Sequence, residues 1–136
     1  MVKGILADIH VKGPVENLVR AMQTEPWDEF WRELGVRLFL FENVGLTPTS
    51  TDREIWLRCQ VEQLILITNN RNEDSPDSLE TTIRQLNTSA SLPVFTIANL
   101  DALRKNRDYA ERVLERAFDY LLRIDDVRGT GRLFLP

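Results

Sequence analysis

The stretch LILITNNRNED, residues 64–74, decides the predicted fold, because it joins a short apolar run directly to a cluster of side-chain oxygens. A continuous apolar run that contains β-branched residues is typical of a strand buried on both faces of a parallel sheet. In open parallel sheets, ligands bind in the crevice beyond the carboxyl ends of the strands. The polar residues from Thr68 onward occupy that position. The stretch therefore predicts a buried parallel strand that ends at a ligand site.

The beginning of the chain repeats this pattern, since the apolar residues 4–7 (GILA) end in Asp8. A carboxylate that closes an apolar strand is costly unless it is solvated, paired or bound to a metal. Asp52 stands three and four residues before Ile55 and Trp56, at the predicted start of a helix, and so shares their inward face. We expect Asp8, Asp52 and residues 70–74 to gather at one edge of the sheet.

Strands and helices alternate along the rest of the chain, which predicts a three-layer α/β/α domain around a mostly parallel sheet of four to five strands. Thr51 and Glu54 have the spacing of a capping box at the start of a helix. Residues 1–136 are expected to form one domain, in which residues 125–136 are a tail or an edge strand. The apolar end of that tail needs burial, either as a fifth strand or against a partner chain. The other strands are predicted at residues 2–7, 36–41, 64–68 and 92–98, and the last of these is expected to have an edge-like start at Pro93. Helices are predicted at residues 14–22, 26–34, 51–62, from 75 onward and 106–124.

Composition excludes several classes of protein. The chain has no apolar run near the roughly 20 residues that a membrane span needs and no signal peptide at its beginning, so a cytoplasmic location is expected. The single cysteine, Cys59, cannot form an internal disulfide, and it is predicted to be a small core residue. A net charge of −4 argues against non-specific binding of duplex nucleic acid and is compatible with a cation site.

The predicted edge offers the oxygen ligands that hard cations such as Mg²⁺ or Mn²⁺ prefer, and such a metal activates water for phosphodiester hydrolysis. Simpler alternatives stay open. Asp52 could only stabilise the positive end of its helix, and the asparagines could only form turns. Asp74 or Ser75 could cap the next helix. The predicted metal ligands are Asp8, Asp52, Asn70, Asn72 and Asp74.

Basic side chains near the same edge provide candidate contacts to a phosphate backbone. Arg71, Lys12 and Arg53 are the predicted substrate-binding residues, although single scattered charges are usually a solvated surface. His10, two residues after Asp8, could act as acid, base or ligand, or be a hydrogen-bonded neighbour without a chemical role.

Three short motifs carry a resemblance to a known family: residues 5–8 (ILAD), 51–55 (TDREI) and 66–72 (LITNNRN). In order and spacing they resemble the PIN-like ribonuclease superfamily, most closely the small stand-alone members related to toxin and Mut7-C type PIN-like domains. The match covers about the first half of the chain, and the second half agrees only in the order of strands and helices. The resemblance implies a Mg²⁺- or Mn²⁺-dependent endoribonuclease that cleaves single-stranded RNA, with an antitoxin or a second copy of the chain as a partner. It implies catalytic roles for Asp8, Asp52, Asn70 and Asp74.

The chain departs from the family where Asn70 and Asn72 replace two aspartates, because an amide offers a neutral oxygen and no charge. Metal affinity should fall unless Glu73 or Asp74 restores a carboxylate. The alternative function is therefore a catalytically weak or inactive PIN-like domain that serves as an interaction or assembly module. Phosphotransfer through an aspartyl nucleophile is disfavoured, since His10 stands where haloacid-dehalogenase-like phosphatases carry a second aspartate.

Overall fold

A parallel sheet forms the centre of the molecule in the computed structural model, which describes residues 1–71 and 75–136. Within those residues the sheet has five strands in the order β2-β1-β3-β4-β5, and every neighbouring pair is parallel. This arrangement confirms the predicted α/β class with a central parallel sheet. The strands are β1 (Gly4–Ala7), β2 (Arg37–Phe39), β3 (Leu64–Thr68), β4 (Val94–Ile97) and β5 (Arg132–Leu135).

Helices cover both faces of this sheet, which gives the three layers that the sequence predicted. One face packs against α1, α2, α5, α6 and α7, and the other against α3, α4 and a 3-10 turn at Phe41–Val44. A second 3-10 turn, Ile9–Val11, joins β1 to α1. The helices are α1 (Lys12–Met22), α2 (Asp28–Leu34), α3 (Asp52–Glu62), α4 (Leu79–Leu86), α5 (Leu100–Lys105), α6 (Arg107–Leu122) and α7 (Ile124–Val127).

The buried strand β3 shows why the sheet needs cover on both sides. All of its residues are buried, and they alternate between two separate cores. Ile65 and Ile67 pack in the core on the α1 and α6 face, whereas Leu64 and Leu66 pack with Trp56 on the α3 face. The continuous apolar run is therefore the sequence signature of a strand with helices on both faces.

Local caps set several element boundaries, and the predicted capping box at Thr51 is confirmed. Thr51 caps α3, because its side-chain oxygen accepts a hydrogen bond from the Glu54 N–H at 3.1 Å and Glu54 bonds back. Gly35 ends α2 in the left-handed conformation, with φ of 65°. Asn99 and Asn106 cap α5 and α6 through their side-chain oxygens.

Other boundaries differ from the predictions. The expected helix start at Ser75 is wrong: α4 begins at Leu79, because the Ser78 side chain accepts from the Thr81 N–H at 3.2 Å and caps it there. The expected edge-like start of the fourth strand is also wrong, since β4 lies inside the sheet between β3 and β5. Pro93 immediately precedes β4, where its missing N–H breaks no ladder bond of the strand.

The first, second and fourth strands are shorter than expected, and part of the predicted loop at 42–50 belongs to the 3-10 turn. The C-terminal segment takes the fifth-strand alternative. It forms β5, which pairs with β4 in parallel register, and Leu135 is fully buried. In the described part of the chain, no helix combines the length and the apolarity that crossing a membrane requires.

Candidate functional site

The candidate site lies where the strand order reverses. The chain passes from β1 to β2 on one side of the sheet and then adds β3, β4 and β5 on the other, so β1 and β3 are neighbours. Ala7 pairs with Ile67 at the carboxyl ends of these two strands, and the Asp8 N–H donates to the Ile67 carbonyl at 3.1 Å. In open parallel sheets this reversal leaves a crevice in which ligands bind. Thr68 is the last residue of β3, and Asp8 directly follows β1.

Asp8 is a buried carboxylate held by neutral donors. Only 7% of the surface of Asp8 is exposed to solvent. The Thr68 hydroxyl donates to Oδ2 at 2.5 Å, and the His10 backbone N–H donates to Oδ1 at 3.1 Å. Asp8 forms no ion pair with any lysine, arginine or histidine in the described ranges. A buried carboxylate is costly unless it is paired, hydrogen-bonded or bound to a metal, and these two hydrogen bonds meet part of that cost.

Thr68 and Asn70 extend the hydrogen bonds from Asp8 toward Asp52. The Thr68 hydroxyl accepts from the Asn70 backbone N–H at 2.9 Å while it donates to Asp8. The Asn70 side-chain amide donates in turn to Asp52 Oδ2 at 3.0 Å. Asp8 and Asp52, 44 positions apart in the sequence, are thus linked through two intervening residues.

Asp52 also joins the starts of two helices. It is the first residue of α3, and the same Oδ2 atom accepts from the backbone N–H of Leu79, the first residue of α4, at 3.0 Å. A carboxylate at this place stabilises the positive ends of both helices. The structure is therefore compatible with the simpler role of Asp52 in stabilising helix ends. This role does not conflict with its place in the candidate site.

The structure brings Asp8, Asp52 and Asn70 together, as predicted. Asn72 and Asp74, together with Glu73, lie outside the described residues. Within the described ranges, no group of three His, Cys, Asp or Glu side chains is arranged to hold a metal ion. The described part of the site therefore contains two carboxylates and one amide.

The predicted phosphate contacts lie at the same edge. Arg53 follows Asp52 in the first turn of α3, Lys12 is the first residue of α1, and Arg71 follows Asn70. Lys12 and Arg71 are exposed, and Arg53 is partly buried. None of the three forms an ion pair with a side chain in the described ranges.

The residues Thr96, Glu80 and Arg132 were not predicted to belong to the site. The Arg132 side chain is 8% exposed and donates to the Asn70 carbonyl oxygen at 2.8 Å. The only sequence signal was a single basic residue at the start of the apolar run 132–135. A charge at that position usually indicates the exposed end of a strand, so its burial could not be read from the pattern.

Two other titratable residues near the site have simpler roles. The His10 side chain is exposed, and its contact with Asp8 is made by the backbone. Cys59 is buried in the core on the α3 face, as predicted. Burial, and secondarily the nearby Asp8 carboxylate, raise the pKa of the Cys59 thiol well above its usual range. Cys59 is therefore an uncharged core residue and not a nucleophile.

No protein-family model, no curated protein and no solved structure matches this chain. Two carboxylates, an amide and three nearby cationic side chains at the reversal of strand order suit a divalent cation and a phosphate-bearing substrate.

Proposed function

We propose that this protein is a PIN-like, Mg²⁺- or Mn²⁺-dependent endoribonuclease. The observation that carries the proposal is the hydrogen-bonded series from Asp8 through Thr68 and Asn70 to Asp52, at the carboxyl ends of β1 and β3. These are the positions of the motifs on which the family resemblance rests. The series holds two carboxylates near each other at the place where an open parallel sheet binds ligands.

The residues of the site fit a hard divalent cation. Each Asp8 oxygen accepts one hydrogen bond from a neutral donor, which leaves each oxygen a further lone pair for a metal. Asp8, Asp52 and Asn70 would hold the cation, and Asn72 and Asp74 are the proposed further ligands. When bound, such a cation polarises a phosphoryl oxygen and lowers the pKa of a water molecule. Thr68 and the His10 backbone N–H keep the Asp8 carboxylate in one orientation.

Single-stranded RNA is the proposed substrate because the cationic groups are few and local. Arg53 follows Asp52, Arg71 follows Asn70 and Lys12 begins α1 four residues after Asp8, whereas the whole chain has a net charge of −4. A handful of phosphate contacts is enough to position a short strand, and it makes binding sensitive to salt. The three side chains would hold the phosphates on either side of the bond that is cleaved.

Cleavage of a fluorescent single-stranded RNA by pure protein tests this proposal. We expect activity in Mg²⁺ or Mn²⁺ and none in EDTA. Asp8→Asn and Asp52→Asn should each lower the rate by at least about a hundredfold, since each removes a charged metal ligand. The control is Asp119→Asn, which changes an exposed carboxylate on α6 that pairs with Arg123. Cleavage that survives unchanged in Asp8→Asn would refute the proposal.

A second candidate function is a non-catalytic interaction or assembly module with the same fold. It is favoured by the finding that the described residues of the site supply two carboxylates and no group of three metal-binding side chains. Its partner would be an antitoxin-like protein or a second copy of the chain. Calorimetry with Mn²⁺ separates the two functions. Saturable binding that is lost in Asp52→Ala supports the nuclease, and the absence of binding supports the module.

A further inference from the structure

Arg132 is a buried cation whose side chain connects the loop after β3 with β4 and α4. Its Nη1 atom donates to the Asn70 carbonyl oxygen at 2.8 Å and to the Thr96 hydroxyl at 2.6 Å. Its Nη2 atom lies 3.3 Å from Glu80 Oε2 in α4. Burying a guanidinium is costly unless it is paired and hydrogen-bonded. The contacts of this one side chain therefore define a specific arrangement of β5, β4, α4 and residue 70.

Asn70 is the point at which these contacts meet the candidate site. Arg132 holds its carbonyl oxygen, Thr68 accepts from its backbone N–H, and Asp52 accepts from its side-chain amide. The peptide groups on both sides of the Asn70 Cα are thus held by side chains, one by Thr68 two residues earlier and the other by Arg132 from 62 positions away. The direction in which the Asn70 side chain leaves the backbone depends on both anchors.

We propose that Arg132 is a positioning residue, which fixes the Asn70 backbone so that the Asn70 side chain meets Asp52. Its effect on metal affinity rests on the proposed function, but its effect on the Asn70 backbone does not. Arginine suits this place better than lysine. The planar guanidinium reaches Asn70, Thr96 and Glu80 at once through two nitrogen atoms, whereas an ammonium group offers a single nitrogen. Arg132→Lys should therefore keep the charge and lose part of the alignment.

Arg128 provides a matched control at the other end of the sheet. It donates to Asp125 at 2.9 Å, to the Ala90 carbonyl oxygen at 2.9 Å and to Gln63 at 3.3 Å. Ala90 and Gln63 precede β4 and β3, so these contacts lie at the amino ends of the strands. Arg128→Lys thus removes a comparable set of arginine contacts without touching the candidate site.

The experiment compares the two variants by two measurements. The first is amide hydrogen exchange by NMR without metal, and the second is the Mn²⁺ dissociation constant from calorimetry. We expect Arg132→Lys to speed exchange at Asn70 while Ile67 inside β3 stays protected, and to weaken Mn²⁺ binding roughly tenfold. Arg128→Lys should change neither quantity. Unchanged exchange at Asn70 in Arg132→Lys, or an equal change in Arg128→Lys, would overturn the proposal.

If Arg132→Lys does not fold, it does not test positioning, so a milder substitution is included as a second test. Thr96→Val removes one acceptor of the Arg132 Nη1 atom in a fully buried, nearly isosteric position. It should speed exchange at Asn70 in the same direction and by less than Arg132→Lys, and no change would overturn the proposal. If the unaltered protein binds no Mn²⁺, the metal-dependent function fails, and the exchange measurements alone decide the role of Arg132.

Discussion

At the scale of single residues, the Asn70 amide stabilises the arrangement around Asp52. Its amide nitrogen donates to Asp52 Oδ2 at 3.0 Å. An aspartate at residue 70 would place a second negative charge beside Asp52, and without a cation the two carboxylates would repel each other. The same extra charge would strengthen binding of the proposed cation.

Asn70→Asp should make the stability of the protein depend on metal. Without a divalent cation, we expect a loss of about 1–2 kcal/mol in the free energy of unfolding, from the lost hydrogen bond and the new repulsion. With Mn²⁺, the melting temperature of this variant should rise by more than that of the unaltered protein, because a cation that binds only the folded state stabilises it.

The control for that comparison is Asn99→Asp. Asn99 caps α5 by accepting from the Ala102 N–H at 3.0 Å, and aspartate caps a helix equally well. This variant should unfold at nearly the same temperature with and without Mn²⁺. A metal response of Asn70→Asp no larger than that of Asn99→Asp would contradict the placement of residue 70 in a cation site.

At the scale of elements, β1, which Asp8 directly follows, lies in close contact with β2. Gly4 of β1 pairs with Arg37 of β2, and the Phe39 ring lies over Gly4. A Cβ atom at Gly4 would overlap the Arg37 carbonyl oxygen and come within 2.6 Å of the Phe39 ring. A side chain at residue 4 would thus push β2 away from the strand that carries Asp8.

Gly4→Ala should destabilise the protein by about 3 kcal/mol, because overpacking a rigid backbone contact forces the two strands apart. Gly13→Ala is the matched substitution, since Gly13 lies in α1 and a Cβ atom there meets nothing within 4 Å apart from its chain neighbours. It should change the free energy of unfolding by less than about 1 kcal/mol, because helix propensity favours alanine while the following Pro14 disfavours a Cβ atom at a helical residue. Urea unfolding measures both values, and equal effects of the two substitutions would contradict the close strand contact.

At the scale of the whole molecule, β5 completes the sheet as its outermost strand. Through Arg132, it also connects that edge of the sheet to the candidate site. The strand pairs with β4, which would otherwise lie at the edge of the sheet. Leu135 is fully buried in the core on the α6 face, whereas Phe134 is 46% exposed. Because Arg132 belongs to the same strand, loss of β5 would also remove the contact to Asn70.

The two neighbouring apolar residues of β5 should therefore respond differently to truncation. Leu135→Ala should cost about 3 kcal/mol in the free energy of unfolding, as expected for a large-to-small change in a core. Phe134→Ala should cost less than about 1 kcal/mol, since its ring is half exposed. Urea unfolding at two protein concentrations measures both. A large, concentration-dependent cost for Phe134→Ala would mean instead that the segment packs against a second copy of the chain.

The sequence by itself determined the parallel α/β class, the buried strand β3, the capped start of α3 and the gathering of Asp8, Asp52 and Asn70 at one edge. These features follow from patterns that are local in the chain, namely an apolar run, a capping box and polar residues at strand ends. The edge at which they meet follows from a rule that holds for parallel sheets in general.

Only the tertiary structure decided the strand order, the start of α4 and the roles of Thr68 and Arg132. Thr68 contacts Asp8 across 60 positions of the chain, and Arg132 contacts Asn70 across 62. A pattern within a short window reports the preferences of neighbouring residues, whereas burial of a charge depends on which distant groups surround it. Three distant segments supply the acceptors of the two Arg132 Nη atoms, whereas its buried Nε has no partner among the described residues, and these segments meet only in the folded chain.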